Sequence, residues 1–518
     1  MKHLTPLAQE ILQTLEPDPT RQAQWLEHAP LYPVSQDPEM ESFKEWMEEA
    51  KQAGQKVFVA GDYDCDGIMA TSIMVSGLRA FGLEVGFYIP DRIKEGYGLH
   101  PRTVRLAHDK GYQIIVTVDN GIKAAEALEL AKTLGMTTIV TDHHTIEEEA
   151  DCDVLIHPAR LEDEFSTLCG AGVAYECVRA LGQATDYHLI MAAVASIADV
   201  MPVTKQTRRL IQHGLDRLNE KKEIHISSFI KDSHVTETTL AFQVVPKINA
   251  IGRLSNMANA NNVVRYLLSE DPAEIMKLNA QIEQINERRK TISAQMSEQA
   301  MRQVDPGQPV NLIMSPGFHE GIIGLVAGNL MNQTGKPTIV AAKNVDGFKM
   351  SMRAPEGFDC MAFLNPFPSF SACGGHKQAA GFSVDLDDYE AFERFIRQRG
   401  AQYEWSAPLE KNEIEIDESQ IQIEAIESLD ALRPFGPGFE MPVFKISKPA
   451  IKNLYDFQNA RHRRYTLQSG VCCMRFNQPR SEISKSVNRI QCFEGELQIS
   501  EYRGRKQASF MIDKIVYD

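Results

Sequence analysis

The chain has 518 residues, 43% of them hydrophobic and 24% charged. That is too long for one hydrophobic core and too ordinary in composition for a disordered or fibrous protein, so three or four globular domains are expected. No run reaches the roughly eighteen consecutive apolar residues of a membrane span, and the first residues hold no apolar leader core; a cytoplasmic protein is expected, with no membrane segment. Nine cysteines without a CxxC spacing fit reduced thiols in that compartment.

The net charge of −16 argues at first against a polyanionic partner. Over residues 445–518, however, Lys and Arg exceed Asp and Glu by seven, which leaves the rest of the chain near −23. An acidic body with a basic tail suits a polyanion held in one place and cations held in another.

In chain order, residues 1–50 read as a helical, peripheral extension. Apolar strands are predicted at 57–60, 84–89, 114–118, 138–141 and 153–156. Helical patterns lie between and after them at 68–81, 103–110, 123–134, 172–181 and 188–198. This alternation predicts βαβ units and a mostly parallel sheet over 51–215. Residues 216–305 read as a helical connector. Its long helix, from about 272 to 304, carries an apolar seam at Ile275, Leu278, Ile282, Ile285, Ile292 and Met296. A second, smaller α/β region is expected over 306–402, with strands at 310–314 and 337–341, a helix at 321–331 and a Gly-rich turn at 373–381. Short alternating runs over 403–518, such as Glu413-Ile414-Glu415-Ile416 and Gln420-Ile421-Gln422-Ile423, predict a small OB-like β barrel.

Acidic residues stand where the first strands end. The first strand runs into Asp62-Tyr63-Asp64-Cys65-Asp66-Gly67, the third into Asp119-Asn120-Gly121 and the fourth into Asp142-His143-His144. Asp199 follows a predicted helix. In an open α/β sheet the strand ends form the ligand crevice, and carboxylates with imidazoles suit hard divalent cations and phosphates. A calcium-binding loop is excluded, because position 12 counted from Asp62 is Ile73 where such a loop needs a bidentate Glu. Each motif alone reads as easily as a turn, a cap or a surface group. Together they gather like charges that repel unless cations intervene.

These motifs, in this order, resemble the DHH phosphoesterase family, and most closely its RecJ branch of exonucleases specific for single-stranded DNA. Further segments are similar to that branch: Gly96-Tyr97-Gly98-Leu99, Ala171-Gly172-Val173-Ala174, Asn249 to Leu254, Asn286-Glu287-Arg288-Arg289, Phe318 to Gly324, Gly374-Gly375-His376, Arg433 to Gly438 and Glu501 to Arg505. The resemblance implies two Mn²⁺ or Mg²⁺ ions held by Asp62, Asp64, Asp66, Asp119, His143 and Asp199, with Asp119 or Asp199 as the bridge. It implies Asp142 orienting an imidazole and His144 facing the scissile phosphate, the two expected catalytic residues. Arg253, His319, Ser351, Arg353, Gly374, Gly375 and His376 are the expected phosphate contacts.

Arg461, Arg463, Arg464, Arg475, Arg503 and Arg505, interleaved with aromatic residues, are the expected single-strand-binding surface of the OB-like domain. The implied activity is 5′-to-3′ digestion of single-stranded DNA in repair and recombination, by a monomer whose protein partners are helicases or single-strand-binding proteins. Two departures bear on this: Ala354 stands where the branch has Ser, and the chain is short at its start and lacks an extra C-terminal domain. The alternatives are a DHH-type phosphodiesterase of short oligonucleotides or cyclic dinucleotides, and a catalytically silent scaffold of the same fold.

Overall fold

The computed structural model describes residues 4–345, 347–406, 412–483, 485–502 and 505–518. The chain separates into two compact units. One comprises Leu31–Met201 and Lys205–Leu409; the other comprises Met1–Pro30, Pro202–Thr204 and Glu410–Asp518.

The larger unit holds two sheets. Strands β1 (Lys56–Ala60), β2 (Glu84–Tyr88), β3 (Ile114–Val118), β4 (Thr137–Thr141) and β5 (Val154–Ile156) form the first, in the order β2-β1-β3-β4-β5. Every pairing is parallel, as the strand–helix alternation predicts. β3 and β5 are buried throughout, because helices cover both faces of such a sheet. The chain leaves β1 toward β2 on one side and returns as β3 on the other. The β1 and β3 tips therefore flank the point where strand order reverses, the place open α/β sheets reserve for ligands.

The helix Cys65–Phe81 is buried along nearly all its length. Asp64 caps it, its carboxylate accepting from Gly67 N at 3.0 Å, so the acidic loop is also a helix N-terminus. The helix Pro272–Met301 runs for 30 residues, about 45 Å at the α-helical rise. Its buried positions include Ile275, Ile282 and Met296 of the expected seam, together with the polar Asn286 and Ser293. It leads to β6 (Asn311–Ser315), β7 (Thr338–Lys343), β8 (Gly347–Arg353), β9 (Ala372–His376) and β10 (Ala379–Asp385), ordered β6-β7-β8-β10-β9. The Gly-rich segment read as a turn is the antiparallel hairpin β9–β10; its glycines leave β9 wholly exposed at the sheet edge.

The smaller unit is built on a seven-stranded sheet. Its strands are β11 (Glu413–Glu415), β12 (Val443–Ser447), β13 (Ile451–Phe457), β14 (His462–Leu467), β15 (Cys472–Arg475), β16 (Ile490–Tyr502) and β17 (Arg505–Tyr517). The order β11-β12-β16-β17-β15-β14-β13 leaves β11 and β13 outermost. Gln420 to Ile423, read as part of a strand, instead ends a 3₁₀ turn and opens the short helix Ile423–Glu427.

The N-terminal segment corrects another expectation. Leu7, Ala8, Ile11 and Leu12 of the helix Pro6–Leu15 belong to the same core as Phe444, Tyr465, Phe493 and Phe510, and Trp25 stacks on Phe439 at 4.2 Å. This helix is amphipathic, and its apolar face completes the barrel-like core, so it is no peripheral extension. No helix among the described residues is long and apolar enough to cross a membrane.

Candidate active site

The expected metal residues converge. Asp62, Asp64 and Asp119 bring one oxygen each within 4.8 Å of one another; Asp66, His143 and Asp199 form a second such group, and Asp119, His143 and His144 a third. Asp119 and His143 each belong to two of these groups. His143 Nε2 lies 3.1 Å from Asp119 Oδ1, 3.6 Å from Asp199 Oδ2 and 3.7 Å from Asp66 Oδ2. Asp119 Oδ1 is nevertheless buried without a hydrogen bond, and so is Asp62 Oδ1. Buried carboxylate oxygens left unpartnered in native folds call for an ion. A mostly oxygen donor set with an imidazole fits Mn²⁺ or Mg²⁺ better than a thiophilic metal.

Electrostatics say the same. Burial first, and then the neighbouring carboxylates, push the carboxyl groups of Asp62, Asp64 and Asp119 upward. Burial and Asp66 take Asp199 up to about 8. Burial also lowers the His143 imidazole, keeping it neutral as a ligand must be. Asp66 is held differently: it accepts from Gly170 N at 2.8 Å and Ala171 N at 2.7 Å, the first amides of the helix Gly170–Ala180.

Asp142 and His144 make an oriented pair. Asp142 accepts from the backbone of Ile122, His143 and His144 and from His144 Nδ1 at 2.8 Å. Burial opposes its charge, but the His144 hydrogen bond and the backbone donors outweigh it and hold the carboxyl at about 2. An ionised carboxylate only accepts, so Nδ1 carries the proton and Nε2 is left for a metal or a phosphate. Burial opposes charge on His144 too, yet Asp142 raises it.

Two residues to which the sequence assigns no role complete this network. His157, which accepts from Ala159 N at Nδ1, donates from Nε2 to His144 O at 2.9 Å. Tyr97 donates its hydroxyl to Asp119 O at 2.9 Å and sits 3.1 Å from His144 Nδ1. Asp119 has φ 60°, a strained conformation for a residue with a side chain, and Tyr97 secures it. The Gly96-Tyr97-Gly98 segment was the one signal for this residue.

Beside the acidic loop lies a guanidinium cluster. Burial, then Arg92, Arg353 and Arg289, lowers Arg253 to about 10. Arg92, Arg289 and Arg353, each from a different element, thus gather their positive charge around Arg253. Arg353 Nη1 donates to Ser351 Oγ at 2.9 Å and Met352 O at 2.8 Å, which fixes its fork. His319 meets Asn256 at 3.1 Å. Gly321 permits the lobe to approach the connector, since a Cβ there would fall 1.9 Å from Arg253 O. Arg92 and Arg289 carry no signature of their own, although Arg289 falls in a segment already singled out. Gly374, Gly375 and His376 are exposed on β9. Ala354 is buried in the apolar core of the second lobe, so its side chain does not face the guanidinium cluster.

In the smaller unit the predicted cations divide. Arg463 and Arg475 are corrections: they bind Asp456 at 2.6 Å and Glu482 at 3.0 Å, mostly buried, so these charges are neutralised internally. Arg461 and Arg464 are exposed; the Arg464 guanidinium lies 5.7 Å from the ring of Tyr455, itself 59% exposed. Arg503 and the side chain of Arg505 lie outside the described residues.

A parallel sheet with this donor set at its strand tips, joined by a long helix to a second α/β lobe, defines the class of DHH phosphoesterases. Accordingly, the family model for the DHH family, N-terminal domain, matches residues 56–201, and that for the DHHA1 domain matches 307–401. The RecJ OB domain matches residues 413–514. The single-stranded-DNA-specific exonuclease RecJ of Bacillus subtilis is 31% identical over 544 residues, covering 98% of this chain and 68% of that protein. A crystal structure of RecJ from Thermus thermophilus in complex with Mn²⁺ matches with a TM-score of 0.82 at 25% identity, over 99% of this chain and 78% of that one. One of exonuclease RecJ bound to manganese gives 0.62 at 30% identity, over 73% and 97%. The chain belongs to the RecJ family.

Proposed function

We propose that this chain is a metal-dependent exonuclease that hydrolyses phosphodiester bonds of single-stranded DNA from the 5′ end, in DNA repair and recombination. The observation that carries this is the pairing of a carboxylate and imidazole cluster with a guanidinium cluster in one unit. The first has the charge to hold cations, the second to hold a substrate phosphate. The names borne by the relatives point to the same chemistry.

Asp62, Asp64, Asp66, Asp119, His143 and Asp199 would hold two divalent cations, Mn²⁺ or Mg²⁺. When bound, such ions supply a hydroxide and neutralise charge on the attacking and leaving oxygens. Asp142 fixes the tautomer and direction of His144, which presents Nε2 to the scissile phosphate. Arg253 and Arg353, supported by Ser351, take the phosphate of the terminal nucleotide, joined by Arg92 and Arg289. His319 aligns the second lobe on the connector. Tyr455 and Arg464, with Arg461, bind the strand by stacking and charge without reading its sequence.

In this reading residues 51–215 are the catalytic domain, 216–305 the connector, 306–402 the substrate-binding domain and 403–518 the strand-binding domain. The chain works in the cytoplasm as a monomer, with a helicase or a single-strand-binding protein as partner.

The test is digestion of single-stranded DNA labelled at one end or the other, with Mn²⁺, Mg²⁺ or chelator. Release of labelled mononucleotide from the 5′-labelled strand in the metal-containing reactions alone is expected. Digestion that persists in chelator, or that consumes dinucleotides but spares long strands, rejects the proposal.

A further inference from the structure

Strand β2 lies at the edge of the first sheet and pairs only with β1 among the described residues. A free edge ordinarily invites another strand. Here the Arg79 guanidinium donates to Val85 O at 2.9 Å, and Asn261 bonds both Ile89 N and Ile89 O, at 2.9 and 2.8 Å. Strand addition is blocked at both ends of β2. What remains along the strand is an open cavity of about 460 Å³.

Its walls are cationic. Arg79 comes from the helix Cys65–Phe81, Lys110 from the end of the helix Pro101–Asp109, and Arg265 from the helix Ala260–Leu268. None of its described lining residues is acidic. Glu84, on the same strand, is turned to Lys56 at 2.7 Å. Lys110 makes no ion pair among the described residues, and Arg265 reaches Asn262 of its own helix. In a chain of net charge −16, three cations converging on a concavity without counter-charge attract an anion. Phe87 and Tyr112 supply ring surface in the same walls. Volume, charge and rings together suit a small phosphorylated ligand carrying a planar base.

The cavity also has a neighbour. Tyr88, Asn259 and Asn261 line both it and a neighbouring cavity of about 380 Å³, whose other walls include Tyr63 of the acidic loop and Arg92 of the guanidinium cluster.

We propose that this pocket binds a nucleoside monophosphate outside the metal centre, with the phosphate on Arg79, Lys110 and Arg265 and the base against Phe87 and Tyr112. The occupant is the product of the chain's own hydrolysis. That last assignment rests on the exonuclease reading; affinity for a nucleoside phosphate does not.

The experiment is calorimetric titration of the full chain in excess chelator with dTMP, ATP and inorganic phosphate. Binding of dTMP without metal, tighter than phosphate and no weaker than ATP, is expected. The double charge reversal Lys110→Glu, Arg265→Glu should weaken it by about tenfold or more, while Asp119→Asn leaves it unchanged. Arg79 is kept because it covers the strand edge. Lys110→Gln, which removes no ion pair, gives the same reading should the double variant fail to fold. Absence of dTMP binding in chelator, or binding untouched by both charge variants, overturns the pocket. Tighter binding of ATP overturns the product assignment. A chain that binds dTMP but cleaves no single strand removes the nuclease reading and the product assignment, and the pocket stands.

Discussion

A β-carbon on Gly170 would lie 2.5 Å from the Cβ of Asp119 and 2.6 Å from its Oδ1. The missing side chain of one residue therefore makes room for the carboxylate at the centre of the other's cluster. The same glycine donates its amide to Asp66, so one helix start sets two acidic groups.

Gly170→Ala should displace Asp119 without removing any ligand. Mn²⁺ affinity measured by calorimetry is expected to fall by about 10- to 100-fold, the range seen when a residue that orients a ligand is altered. Tyr97→Phe, which releases the Asp119 carbonyl, should act in the same direction and less. Unchanged Mn²⁺ affinity in Gly170→Ala would count against Asp119 as a ligand.

The carboxyls of Asp62, Asp64, Asp119 and Asp199 titrate higher in the folded, metal-free chain than the ordinary Asp value of about 3.9. Between that value and about 8 the unfolded chain has released protons that the native chain retains. Stability of the metal-free protein should therefore fall as pH rises through this window. Divalent cations need the ionised form, so Mn²⁺ binding at pH 7 should release protons, fewer at pH 9. Denaturation with and without Mn²⁺ across this range, and calorimetry in buffers of different ionisation enthalpy, measure both. A metal-free stability that rises from pH 4 to 8 would contradict the assignment.

Arg353→Ala removes a charged fork whose hydrogen bonds to a phosphate are worth about 1.5–3 kcal/mol. For strands with a 5′-phosphate, kcat/KM should drop by about 10- to 100-fold, chiefly through KM. Strands ending in a 5′-hydroxyl should lose much less. Equal losses on both substrates would place Arg353 away from the terminal phosphate.

Ile11 is fully buried in the core of the smaller unit. Ile11→Ala should cost about 2–4 kcal/mol, through lost transfer energy and the cavity left behind. Chemical denaturation followed by Trp25 fluorescence, reporting on the ring stacked over Phe439, checks it. A cost near zero would return the N-terminal helix to the periphery.

Much of the fold follows from local pattern. Apolar runs of strand length alternating with helical periodicity encode the parallel sheet, and acidic residues after those runs must emerge at the strand tips. Asp62, Asp64, Asp66, Asp119 and His143 were readable for that reason, and Asp199 as the residue closing a helix. The 3.6-residue seam placed the long connector as directly. Periodicity records which face of an element is buried, and little else.

Which distant elements meet is decided by packing between them. Arg92, Arg253, Arg289 and Arg353 are separated by up to 261 residues and become one guanidinium cluster only where the second lobe packs on the connector at Gly321. Arg463 and Arg475 look like surface cations in a basic tail until folding places Asp456 and Glu482 beside them. The helix Pro6–Leu15 has an apolar stripe that names no partner; the exposed core of the C-terminal sheet supplies it. The sequence by itself determined the elements, the strand tips and the chemistry set there, because these depend on residues near in the chain. The tertiary structure alone decided the guanidinium cluster, the buried ion pairs and the β2 pocket, because charge and contact act across space whatever the separation along the backbone.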